Sequence, residues 1–151
     1  MTAQFEDAAT ALNYIMSGKA IFTIVSKKTG QRFTYLVERP SSDKKDGKAD
    51  FGFRFVKLLN GPDNTRSYQY MGMIRGQVYE HGRKSKVSDV APSVVALNWV
   101  IQSLVRGEIR ADQLEIWHEG RCGKCGKRLT VPSSIATGLG PECVKSAFRC
   151  A

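Results

Sequence analysis

Three cysteines packed into one short stretch constrain this chain more than any other feature. They read Cys122-x2-Cys125-x17-Cys143 within HEGRCGKCGKRLTVPSSIATGLGPEC, with His118 just before the first and Cys150 one residue from the end. A Cys-x2-Cys pair on a Gly-rich turn lets two thiolates face one ion, as a tetrahedral zinc knuckle requires. Gly123 and Gly126 suit such a turn, where the chain bends tightly and tolerates positive φ. Cys143 closes the site from a distance, which leaves one ligand to find. His118 is the expected fourth donor, because Cys122 ties its neighbourhood into the site. Cys150 is the alternative, at a terminus where fraying is usual. Without a metal, His118 reads as a surface histidine after a strand.

A redox Cys-x-x-Cys, a disulfide and ordinary buried thiols compete with the metal reading. A thioredoxin-type motif needs a helix running on from the second Cys. Here Gly-Lys-Arg-Leu-Thr-Val-Pro follows Cys125, and a helix does not pass Pro132 cheaply. A third Cys in the same compact unit also favours metal. Four ligands with no open position make the expected Zn2+ structural, so that its binding is folding energy for the C-terminal unit.

The run Cys122-Gly-Lys-Cys125-Gly-Lys-Arg-Leu129-Thr-Val-Pro132-Ser-Ser134-Ile135-Ala-Thr-Gly138-Leu-Gly140-Pro141-Glu-Cys143 resembles an uncharacterised family of unknown function. Its members occur in bacteriophages, prophages and plasmids, and share Cys-x2-Cys-Gly-Arg-x-Leu-Thr-x-Pro-x-Ser-Ile-x-x-Gly-x-Gly-Pro-x-Cys. Lys127 stands where that family commonly has Arg, and Leu139 where it commonly has Ile or Tyr. The upstream runs GKAIFTIVSKKTGQRFTYLV and GPDN also look like longer phage-borne relatives. The resemblance implies zinc and a mobile-element origin and brings no established activity with it.

With 42% hydrophobic residues the chain can bury one modest core and carry a small appendage. No apolar run approaches the roughly 20 residues that span a bilayer. The start, MTAQFEDAATALNYIM, is acidic and lacks the basic region of a secretory signal. Cysteines grouped for metal then point to a reducing compartment, the cytoplasm of the host cell. The net charge is +9, and the C-terminal unit is its densest part. There Arg121, Lys124, Lys127, Arg128, Lys145 and Arg149 stand against only Glu119 and Glu142. Arg83, Lys84 and Lys86 form a second basic turn. Arg121, Lys124, Lys127, Arg128, Arg83, Lys84 and Lys86 are therefore candidate phosphate contacts, weighed against plain solubilising charge.

Periodicity predicts a helix from Glu6 to Ser17, with Glu6 and Asp7 in its first turn and Thr2 as a weak cap. Strands are expected at Ala20–Ser26, Arg32–Glu38, Phe51–Leu59, Ser67–Ile74 and, briefly, Gln77–Glu80. Arg39 to Asp50 reads as a charged loop and Gly61 to Asn64 as a turn. Ala91 to Arg106 is the clearest helix, with Pro92 in its first turn. Leu114 to Trp117 is a short strand delivering His118. Ser133 to Thr137 is a helical turn ended by Gly138, and Pro141 to Arg149 a last short helix presenting Cys143. The fold expected is α+β, an antiparallel four- to five-stranded meander covered by two helices with a C-terminal zinc knuckle. Its domains are residues 1–117 and a zinc-binding unit at 118–151 packed against them. Phe33, Tyr35, Phe51, Phe53, Phe55, Tyr68 and Tyr70 form aromatic rows. The phenylalanines are expected in the core, and a base-stacking surface is the competing reading.

No nucleotide-binding loop, His-Glu-x-x-His or Gly-x-Ser-x-Gly pattern is present, and the two histidines are His81 and His118. The expectation is a non-catalytic zinc protein of phage or plasmid type that binds nucleic acid through its basic surface. The alternative is a protein-binding inhibitor or adaptor that attaches to a host or anti-phage defence complex, an anti-CRISPR-like or other anti-defence factor. A metal-dependent enzyme, which needs an open coordination position, ranks third.

Overall fold

The computed structural model describes residues 3–40, 52–60, 67–110, 112–141 and 143. Strand β1 (Ala3–Gln4) leads into helix α1 (Ala8–Ile15). Asp7 caps this helix, its carboxylate accepting from the Thr10 backbone N–H at 2.9 Å and the Thr10 hydroxyl at 2.8 Å. The expected first-turn role of Asp7 is thus corrected to that of the cap, and Thr2 lies outside the described residues. Five consecutive strands follow as a meander: β2 (Lys19–Ser26), β3 (Arg32–Glu38), β4 (Phe53–Leu59), β5 (Tyr68–Arg75) and β6 (Val78–His81). Helix α2 (Pro92–Val105) carries Pro92 at its start, where a missing N–H costs nothing. Strand β7 (Leu114–His118) and a short helix α3 (Pro132–Thr137) complete the order.

Among the described residues the sheet has seven strands rather than four or five, in the order β1-β7-β2-β3-β4-β5-β6, and all pairings are antiparallel. Two elements make the difference. β7 pairs with β2 from Phe22↔His118 to Ser26↔Leu114, and the two residues of β1 then add to its far side. β7 is the short strand expected at Leu114–Trp117, here joined to the meander's sheet, while the two residues of β1 carry no periodicity to announce them. The helices among the described residues number three, because the turn before Gly138 closes into α3.

Register separates the two faces of the sheet. Phe22 pairs with Tyr35, and Val37 with Val56, so these side chains share one face. There they form a single core with Tyr14 and Ile15 of α1 and with Leu97, Ile101 and Leu104 of α2. The Tyr35 hydroxyl, buried under α2, donates to the Ser93 carbonyl at 2.7 Å. Arg54 is buried on this same face, with Nε donating to the Met16 carbonyl at the C-terminal end of α1 at 2.9 Å. Phe53 and Phe55 consequently point to the opposite face, and the expectation that they fill the core is corrected. Phe55 pairs with Glu38 and Met73 there, beside the Lys57–Glu38 ion pair at 2.6 Å. Phe33 does pack against the core, while Tyr68 and Tyr70 are half-buried. Phe51, Gly61–Asn64 and the loop up to Asp50 from 41 onward lie outside the described residues, as does the expected last helix apart from Pro141 and Cys143.

Among the described residues, no helix is long and apolar enough to cross a membrane.

Candidate metal centre

The chain leaves β7 at His118 and turns at Gly120, whose φ of 83° is open to glycine without strain. Arg121 and Arg128 then face each other as an antiparallel bridge. Leu129 N–H donates to the Gly120 carbonyl at 2.7 Å and Cys122 N–H to that of Lys127 at 2.8 Å. These bonds close a tight hairpin whose tip holds Cys122 and Cys125. Gly126 N–H donates back to the Cys122 carbonyl at 2.9 Å, with Gly126 at φ 80°. Helix α3 follows and stops at Gly138, a left-handed residue at φ 75°. The chain thereby returns to the tip, where Gly123 N–H meets the Gly138 carbonyl at 2.8 Å. Leu129 and Leu139 bury beside Cys122, with Ile135 and Cys143 packed against them, as a small core of their own.

This geometry gathers the thiols of Cys122, Cys125 and Cys143 within 4.8 Å of one another. Sulfurs on one tetrahedral zinc ion lie about 3.8 Å apart, given Zn–S bonds of about 2.3 Å. The cluster is therefore close to coordination geometry. Its electrostatics point the same way. Burial pushes the Cys122 thiol up, but backbone N–H groups around its sulfur outweigh that, and its pKa falls to about 7. Among those donors, Gly140 N–H and Lys124 N–H each lie 3.4 Å from the sulfur. Cys143 is pushed up to about 12, by desolvation first and then by the neighbouring sulfurs. Three such thiolates repel one another, and a bound cation relieves that repulsion. The donor set thus fits a metal ion, with Cys122, Cys125 and Cys143 holding it.

The structure does not bring His118 into the cluster. The Gly120 backbone N–H donates to Nδ1 at 2.9 Å, and Nε2–H donates to the Ile135 carbonyl at 2.6 Å. Both ring nitrogens are occupied by backbone, which fixes a neutral tautomer with no lone pair free for an ion. Desolvation lowers the His118 pKa further from its ordinary value. The ring lies 5.2 Å from Phe5 and 5.4 Å from Tyr14, centroid to centroid. In the expected ligand's place stands a buried tie that joins the end of β7, the knuckle's first turn and α3. Cys150, the alternative fourth donor, lies outside the described residues.

Gly123 is also corrected. Its φ is not positive; what it supplies is space, because a Cβ there would overlap the Ser17 hydroxyl and come within 2.7 Å of the Tyr14 ring. A Cβ on Gly138 would meet the same ring at 2.5 Å. Tyr14 is thus received by two glycines of the knuckle. Its hydroxyl donates to the Ile21 carbonyl at 2.8 Å and accepts from the Ile21 N–H at 3.1 Å. Those groups face the side where β7 has already ended, so the phenol completes the ladder of β2. The Lys19 N–H, on the same edge, donates to the Gly123 carbonyl. Nothing in the sequence marks Tyr14 for this role.

The candidate phosphate contacts fall into two groups. Arg121, Lys127 and Arg128 are exposed on the hairpin around the thiols, and Lys124 is half-buried at its tip. Arg83, Lys84 and Lys86 are exposed too, but follow β6 at the opposite edge of the sheet from β1 and β7. The two basic groups do not form one patch.

No curated protein and no solved structure matches the chain. Residues 115–148, from β7 through the whole thiol cluster, match the model of a family of unknown function, DUF6011.

Proposed function

We propose that this is a non-catalytic zinc protein of phage or plasmid type, acting in the cytoplasm of the host cell, which grips nucleic acid through the basic hairpin around its metal. The observation that carries the reading is the placement of Arg121, Lys127 and Arg128, exposed on a hairpin that the cysteine cluster pins in shape. A rigid loop holds its cations at fixed spacing, which favours contact with successive phosphates. The ion is read as structural: the three thiolates tie the hairpin to the segment after α3, and the knuckle's few apolar residues need that energy to fold. Binding of labelled oligonucleotides should weaken steeply with salt. Replacing Lys124, Lys127 and Arg128 together by Ala should lower the slope of log affinity against log salt by about 2–3, at roughly 0.7–0.9 for each phosphate no longer neutralised. Affinity that ignores both salt and these substitutions would reject the reading.

One observation favours a second reading, a protein-binding factor aimed at a host or defence complex. A groove of about 670 Å³ between the β2–β3 hairpin and α2 is lined by Ile24, Phe33, Val95 and Trp99, with Lys27 and Lys28 at its rim. Val95 is 57% exposed there, an apolar side chain in a place suited to a partner. A stoichiometric complex recovered from host lysate after nuclease treatment, and lost on Val95→Asp, would support it.

A further inference from the structure

We infer that the face of the sheet turned away from α1 and α2 is a track for single-stranded nucleic acid, with Phe53, Phe55 and Tyr70 as base-stacking rings. The inference rests on the nucleic-acid reading and narrows it to single strands.

The core uses one face of the sheet, where α1 and α2 pack. On the other face the rings of Phe53 and Phe55 lie 6.1 Å apart, and those of Phe55 and Tyr70 6.2 Å apart, at near-perpendicular angles. All three are half-buried, so that they are held in place by their neighbours yet keep an open surface. Gly82 holds Tyr70 most directly, since a Cβ there would reach within 2.5 Å of its ring. A domain of this size gains most by burying its phenylalanines. Here the buried face instead takes Arg54 between Phe53 and Phe55, and the rings stay outside.

Two cations, Arg75 and Lys57, flank the row on a face that also carries Glu38 and Glu80. The Arg75 guanidinium lies 5.7 Å over the Phe53 ring, and Lys57 stands between Phe55 and Leu59 on the same face, paired with Glu38. From Lys57 and Glu38 the face runs into a cleft of about 370 Å³, with Ile21 and Leu36 among its lining residues and Tyr68, Lys19 and Arg121 around it. Glu119 also lines this cleft and offers an acceptor to an exocyclic amine. Arg121 belongs to the basic hairpin as well, so the aromatic row and the knuckle cations are joined by one continuous surface. Flat rings with interspersed cations suit unpaired bases and their phosphates, whereas a duplex hides its bases and presents only charge.

The test is fluorescence anisotropy with a labelled twelve-nucleotide oligo(dT) strand, against a duplex of equal length, on the zinc-loaded full chain. The single strand is expected to bind at least ~10-fold tighter, and Phe55→Leu with Tyr70→Leu to weaken it ~5-fold or more while leaving duplex binding unchanged. Leucine keeps the apolar bulk and removes the stacking face. Should that variant not fold, photo-crosslinking of a 5-bromouracil strand to wild-type protein decides, with adducts expected in residues 53–59 and 68–75. Equal affinity for strand and duplex, or adducts confined to residues 121–128, would overturn the inference and leave the hairpin grip standing. Failure to bind either oligonucleotide would overturn the nucleic-acid reading itself.

Discussion

At the residue scale, histidine and cysteine divide the knuckle between them in a way that metal analysis can read directly. Cys122→Ser and Cys143→Ser each remove a thiolate from the cluster, and each should cut the zinc content of purified protein to well below one ion per chain. His118→Gln removes no ligand, since both nitrogens of His118 serve backbone groups, and should leave zinc at the wild-type level. The substitution should instead cost about 1–3 kcal/mol of stability, because it disturbs a buried ring with two hydrogen bonds. Loss of zinc in His118→Gln would return the histidine to the ligand set. The same ring gives a pH dependence with a definite sign. Burial holds the folded pKa of His118 below the ordinary 6.5, so the unfolded chain takes up a proton that the folded chain refuses. The contribution of His118 to stability is complete above about pH 6.5 and is lost as pH falls through the folded value. Urea midpoints between pH 7.5 and 5.5 should therefore drop more for wild type than for His118→Gln. Gly123 supplies a test of packing rather than charge. A methyl group there overlaps Ser17 and the Tyr14 ring, and Gly123→Ala should destabilise by about 1–3 kcal/mol. An unchanged melting temperature would mean that the knuckle does not seat on α1 as described.

At the element scale, the joint between α1, β2 and the knuckle depends on the Tyr14 phenol. Where β7 ends, Ile21 would leave an N–H and a carbonyl without a strand partner, and the Tyr14 hydroxyl takes both. Tyr14→Phe keeps the ring against Gly123 and Gly138 but deletes the hydroxyl. It should cost about 1–3 kcal/mol and speed amide exchange at Ile21, with little change at Val37 in the sheet centre. Uniform faster exchange across the sheet would show a global effect and not this edge. The sequence is informative about such joints only in part. Long periodic runs announce α1, α2 and the strands of the meander, and the spacing of Cys122, Cys125 and Cys143 announces the cluster. The pairing of β1 with β7 is not legible, because two residues carry no periodicity. The faces of β4 mislead for a physical reason. Alternation places Phe53 and Phe55 opposite Arg54, and hydrophobicity then assigns the phenylalanines inward. The structure buries the arginine because the Met16 carbonyl, at the end of a helix distant in sequence, accepts from its Nε at 2.9 Å. A compensating partner of that kind cannot be read from a local pattern. The same holds for His118: its spacing to Cys122 suits a ligand, and only the fold reveals that backbone groups already occupy its nitrogens.

At the scale of the whole molecule, the described residues form two apolar clusters of very different size, one on the sheet and one in the knuckle that follows β7. The larger gathers both long helices and the meander, while the smaller has Cys122, Leu129 and Leu139 at its centre. The large cluster can persist without metal, but the small one has too little apolar surface to offset the ordering of its backbone. Removal of the proposed zinc should therefore unfold the molecule in parts. With a strong chelator, amides of the hairpin and α3 should lose protection, while those of β3, β4 and β5 keep theirs. The loosening should also reach β2 at one end, because the Lys19 N–H is bonded to the Gly123 carbonyl and Tyr14 rests on the knuckle glycines. Lys19 and Ile21 would then exchange faster than Thr23 and Val25, whose partners lie in β7. If nucleic acid is held by the hairpin, its affinity should fall with the metal even though most of the sheet remains folded, and added Zn2+ should restore both together. Hydrogen exchange and oligonucleotide binding on the same chelated sample separate the alternatives. Full protection without zinc would make the ion dispensable to the fold. Loss of protection throughout the sheet would make the two clusters one cooperative unit. Loss confined to the knuckle and the start of β2, with affinity falling in step, is the result that this architecture predicts.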